Sequence, residues 1–69
     1  MKTSKKSVQD NIVYSVWVGG GEINDDYINE FETALHIANC WRSSGHDDVV
    51  IERLELDPVN GDIITSRFL

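Results

Sequence analysis

A chain of 69 residues has room for one domain, and at that size it buries only about 60 % of its unfolded surface, so a partner or second copy would add stability. A 41 % hydrophobic content excludes a disordered chain, and one cysteine excludes an internal disulfide and suits a reducing cytoplasm. The net charge of −6 is unevenly spread: Lys2, Lys5 and Lys6 precede Val8, after which only Arg42, Arg53 and Arg67 stand against all twelve acids, a net of −9 that disfavours direct contact with nucleic acid or membrane and favours basic partners.

No signal-peptide pattern and no apolar run of bilayer-spanning length is visible. Residues 1–10 are polar, Lys/Ser-rich and without periodicity, and read as a mobile basic tail ahead of a single domain over 11–69. Asn11 to Val18 is the clearest strand. Its β-branched and aromatic residues are apolar on both faces, with Ile12, Tyr14, Val16 and Val18 on one and Val13, Ser15 and Trp17 on the other, which predicts a central strand or one whose second face meets a partner. Gly19-Gly20-Gly21 supplies a turn, and Glu22 to Ile28 reads as a shorter return strand weakened by Asn24, Asp25 and Asp26, the alternative being a glycine loop that runs directly into a helix near Asp25.

Asn29 to Gly45 is the strongest helical pattern. Asn29 stands at the N-cap, Glu32 completes a capping box, and Gly45 suits the left-handed C′ position. Phe31, Ala34, Leu35, Ala38 and Trp41 recur on one apolar face, widened by Ile37. Val49 to Leu56 follows as a strand, Asp57-Pro58-Val59-Asn60-Gly61 as a turn, and Asp62 to Phe68 as the last strand of a hairpin. The predicted class is α+β: a small, mostly antiparallel β-β-α-β-β sheet with one helix on one face.

Motifs that carry chemistry are sparse. The three glycines lack the spacing and the lysine of a phosphate loop, and an acid follows them. His36 and Cys40 lie one helical turn apart, which is half of a zinc site, and neither a nucleophile–base pair nor an oxyanion hole is evident around them. The acid pairs Asp25-Asp26 and Asp47-Asp48 sit among polar residues, as solvated turns do. The chain therefore reads as no enzyme, with no cofactor and no metal. Acids at Asp25, Asp26, Asp47, Asp48, Glu52 and Glu55 suit a surface that steers toward a basic, nucleic-acid-binding protein, in the limit by imitating DNA phosphates; charge for solubility alone is the plainer account. Tyr14 and Trp17 are the aromatic contact candidates. With one helix for two sheet faces, whichever of them points away from the helix is either an anchor or part of a small second core with Ile51 and Thr65.

The run YSVWVGGGEIND, a capped helix and then GHDDVVIERL resembles short acidic proteins encoded by tailed phages and prophages, over Tyr14 to Leu54. The resemblance implies a host-takeover or anti-defence factor that acts by binding, similar in build to inhibitors of CRISPR effectors, nucleases or polymerases. It carries over no catalytic residue. The competing expectation is a small homodimeric assembly protein, with the exposed sheet face or an edge strand paired to a second copy.

Overall fold

The computed structural model describes residues 11–69; the expected basic tail over 1–10 lies outside the described residues. In chain order the elements are β1 (Ile12–Val18), β2 (Gly21–Glu22), α1 (Phe31–Ser43), β3 (Val49–Leu56) and β4 (Ile63–Phe68). The strands form one antiparallel sheet in the order β2-β1-β3-β4, and α1 packs on one face, so the α+β prediction holds.

β1 is central because both its faces are apolar, and β3, which buries Val49 and Ile51 on one face and Leu54 on the other, lies inside the sheet beside it. It pairs with β3 along its whole length, from Ile12 opposite Glu55 to Val18 opposite Val49. Since side chains alternate, Tyr14, Val16 and Val18 share a face with Val49, Ile51 and Arg53, while Val13, Ser15 and Trp17 share the other with Val50, Glu52 and Leu54. The first face receives the helix. Ala34 and Ala38 have no exposed surface and pack against Val16, Val49 and Ile51, with Ile37, Trp41, Val18 and Ile23 around them. Two alanines at the contact let the helix axis approach the sheet closely. Each fully buried valine or isoleucine beneath them contributes about 1.5–3 kcal/mol. On the second face Val13, Ser15 and Leu54 are buried at the centre.

The helix differs from the prediction at its start. Its N-cap is Glu30, extended at φ −118° and ψ 135°, and no side chain caps it; the Asn29–Glu32 capping box does not form. The cause lies upstream. Ile28 exchanges two backbone hydrogen bonds with Tyr14, at 2.7 and 2.9 Å, which holds the chain extended past Asn29. Phe31 and Leu35 also lie at the margin of the core, about two-fifths exposed, because Ile37 and Trp41 take the inward positions beside the two alanines. The C-terminus follows the prediction. Gly45 has φ +106°, its N–H donates to the Arg42 carbonyl at 3.0 Å, and His46 N–H donates to the Trp41 carbonyl at 3.2 Å. This is the Schellman pairing, and the rings of Trp41 and His46 meet edge-to-face at 5.0 Å across it.

Gly19 and Gly20, both at positive φ, make the two-residue turn between β1 and β2. The return strand over 22–28 is broken rather than continuous. β2 holds two residues, Ile23 N–H donates to the Val16 carbonyl at 3.0 Å, and the chain then leaves the sheet until the bridge at Ile28. Asn24 explains the gap: its side-chain oxygen, not a backbone carbonyl, accepts from Val16 N–H at 2.8 Å. The last turn is as the residues dictate. Asp57 accepts from Val59 N–H through its side chain at 2.8 Å and from Gly61 N–H through its carbonyl at 2.8 Å, with Gly61 at φ +81°. A second irregularity, between Glu55 and Leu56, shifts the register where β4 begins.

Candidate functional site

The eight candidate contact residues do not gather on one surface. Tyr14 lies on the helix side, half-buried, edge-to-face with Phe31 at 5.6 Å. Trp17 is therefore the aromatic on the second face. It stands opposite Val50, and its neighbours are Glu52 and Phe68; the expected second core with Ile51 and Thr65 is not formed, because Ile51 opposes Val16 and points at the helix. Asp25 and Asp26 are exposed on the loop that leaves the sheet beside β1. Asp47 and Asp48 are exposed at the opposite end of the sheet from Glu55, next to the glycine turn, where Gly19 N–H donates to the Asp48 carbonyl at 3.2 Å. Glu52 and Glu55, three apart on β3, point to opposite faces.

What the fold does bring together is a set centred on Trp17. Its indole Nε1–H donates to Glu52 Oε1 at 2.9 Å. Ser15, buried and cross-strand from Glu52, donates its hydroxyl to Glu22 Oε2 at 2.6 Å. Glu22 opposes Trp17 across the β1–β2 turn, and Asn24 Nδ2–H reaches the same carboxylate oxygen at 3.4 Å. Phe68 meets the Trp17 ring edge-to-face at 6.3 Å from the neighbouring edge. Two carboxylates are thus held by fixed donors on either side of one tryptophan. A carboxylate fixed in place beside an aromatic face is the chemistry that receives a guanidinium or ammonium group.

Glu22, Ser15 and Phe68 escaped the sequence reading. Glu22 was legible in principle: a two-residue turn on Gly19-Gly20 sets it across from Trp17. Phe68 depends on the register of β4, which the irregularity at Glu55/Leu56 shifts by one residue.

A second recess, of about 600 Å³, opens between the start of β1 and the start of α1. Ile12, Tyr14 and Phe31 supply its apolar wall and Arg53, Glu30 and Glu32 its charge. It is wide open to solvent, and nothing in it converges on a point where a reacting atom would sit. His36 and Cys40 are exposed on α1 with Nε2 and Sγ 3.7 Å apart. Among the described residues no group of three or more His, Cys, Asp or Glu side chains is placed to hold a metal ion. Among them, too, no helix is long and apolar enough to cross a membrane. No family model, curated protein or solved structure matches the chain.

Proposed function

We propose that this chain is a non-enzymatic binding module that engages a basic protein surface, in the manner of a phage host-takeover or anti-defence inhibitor acting on a nucleic-acid-handling complex in the host cytoplasm. The observation that carries the reading is the Glu22–Ser15 and Trp17–Glu52 pair of hydrogen bonds, which fixes two carboxylates beside one aromatic ring. Groups fixed before binding lose little rotamer entropy on contact, and the aromatic supplies apolar area at the same point. The remaining acids are dispersed over the loops and the far end of the sheet. Their part in the reading is long-range attraction of a basic partner, not contact. Direct binding of nucleic acid has no place in it, because like charges would meet.

The test uses the intact protein as bait in host lysate, followed by affinity measurement on the purified captured protein. The reading expects capture of a nucleic-acid-binding protein, loss of its nucleic-acid binding in the presence of the bait, and affinity that falls steeply with salt. Glu52→Gln and Glu22→Gln should each weaken the complex by about tenfold, the effect of losing roughly 1.4 kcal/mol of a charged contact. Affinity indifferent to both salt and these substitutions would remove the proposal.

A further inference from the structure

β4 is an edge strand with every residue exposed, and of the features that keep edges apart it has only Arg67 and the irregularity at its first residues. Edges are normally blunted by proline, lysine, inward charges or short length. β4 runs for six residues, Ile63–Phe68, with neither proline nor lysine, and Ile63, Ile64 and Phe68 are each more than half exposed. The other edge is different in kind. β2 is two residues long, carries Glu22, and leads into Asp25 and Asp26.

The pairing of β4 with β3 fixes which backbone groups have no partner among the described residues. Leu69 N–H donates to the Ile51 carbonyl at 2.8 Å, and Arg53 opposes Arg67 and Glu55 opposes Thr65 in the same register. In an antiparallel ladder alternate residues hydrogen-bond inward. Thr65, Arg67 and Leu69 therefore face β3, and Ser66 and Phe68 turn their N–H and C=O groups outward. Ile64 is next in that alternation, at the irregularity opposite Leu56. The side chains of Ser66 and Phe68 lie on the second face, since they oppose Leu54 and Glu52.

We infer that two copies of this chain pair along β4 about a twofold axis through Ser66, giving one continuous eight-stranded antiparallel sheet. A strand paired with its own copy must place residues of the same face opposite one another, so the axis passes through a residue and not between two. With the axis at Ser66, each Ser66 meets its counterpart and Phe68 of each copy meets Ile64 of the other. The outward N–H and C=O groups of Ser66 and Phe68 all find partners. The two exposed apolar side chains of the second face cover one another, and they join the Trp17–Phe68 contact into a row that crosses the axis. Charge points to a second copy despite the net −9, because β4 contains no acid and one cation, Arg67, which falls opposite Thr65 of the other copy. Asp62 lies beyond the end of the paired segment. The inference shares Phe68 with the binding reading above, through its ring contact with Trp17, but uses neither Glu22 nor Glu52, so its test by mass and cross-linking can fail or succeed apart from that reading.

Sedimentation equilibrium over a range of concentrations tests it on the full chain. The expected result is a mass approaching twice 7.8 kDa as concentration rises. Ser66→Pro should abolish the dimer while the circular dichroism spectrum stays native, because that N–H faces outward and takes no part in the β3 ladder. The register has its own readout. In a Cys40→Ser background, Ser66→Cys should give a covalent dimer under mild oxidation, since opposed residues on the axis lie within disulfide range, whereas Thr65→Cys should not. A monomer at every concentration, a dimer that survives Ser66→Pro, or a dimer that Ser66→Cys fails to cross-link would each overturn the inference.

Discussion

Single residues in this fold divide by whether the backbone or the side chain is irreplaceable, and Gly45 is the clearest case of the first kind. Its φ of +106° closes the helix, and a Cβ built there meets nothing within 4 Å, so any cost of a side chain comes from the backbone alone. Gly45→Ala is expected to lower stability by about 1–2 kcal/mol in urea unfolding. Gly21→Ala is the matched control: its φ is not positive and the nearest atom, the Val18 carbonyl oxygen, is 3.8 Å away, so stability should be unchanged or slightly raised. Equal losses at both sites would mean that the left-handed conformation is not what Gly45 supplies. Trp17 is of the second kind. Trp17→Phe keeps the ring on Phe68 but removes the donor to Glu52, at an expected cost of about 1 kcal/mol. A double-mutant cycle with Glu52→Ala checks it, since a true hydrogen bond makes the two losses non-additive. Gly45 was readable from its place after a helical period. The Trp17–Glu52 bond was not, because the two residues are 35 positions apart and only the register joins them.

Elements behave according to how much of their form is local. β3 is found where the sequence puts it, Val49–Leu56, because an apolar start, an alternating end and a proline turn bound it on both sides. The turn over 57–61 forms as its residues dictate, since Asp57, Asn60 and Gly61 each act within a few residues of themselves. The return strand and the helix start were misread for one shared reason. Asn24 takes a backbone position on β1 and the Ile28–Tyr14 bridge holds the chain extended, and both are contacts made across the sheet that local propensity does not register. The helix itself is positioned by its smallest residues. Ala38 has no exposed surface and faces the central valine layer, so Ala38→Leu must lift α1 from the sheet or force a strained rotamer. The expected loss is about 1–3 kcal/mol in the same unfolding experiment. Asn39→Leu, one position on and exposed, should change stability by less than about 0.5 kcal/mol. If the two leucines were equally tolerated, the close approach of helix to sheet would not be a feature of the fold.

At the scale of the whole molecule the deciding quantity is charge, and salt should act on folding and on binding with opposite signs. From Val8 onward three arginines stand against all twelve acids. Arg42 is directed at backbone and amide oxygens, the Val49 carbonyl and Asn39 Oδ1, each at 3.1 Å, and Arg53 and Arg67 oppose each other across β3 and β4. Cations so placed leave much of the acidic field uncompensated, and compaction brings the acids closer together. That repulsion falls as ions screen it, because the screening length shrinks from roughly 30 Å at 0.01 M salt to about 8 Å at 0.15 M. Sodium chloride over that range is therefore expected to raise the unfolding free energy by on the order of 1 kcal/mol, seen as a higher urea midpoint with an unchanged slope. Chloride is the right anion, since sulfate would stabilise by exclusion from any protein surface. Attraction to a basic partner is screened by the same ions, so complex formation should weaken over the range in which folding strengthens. A fold that loses stability with added chloride would show that attractive pairs outweigh the repulsion, and the acidic field would then be a poor basis for recognition at a distance.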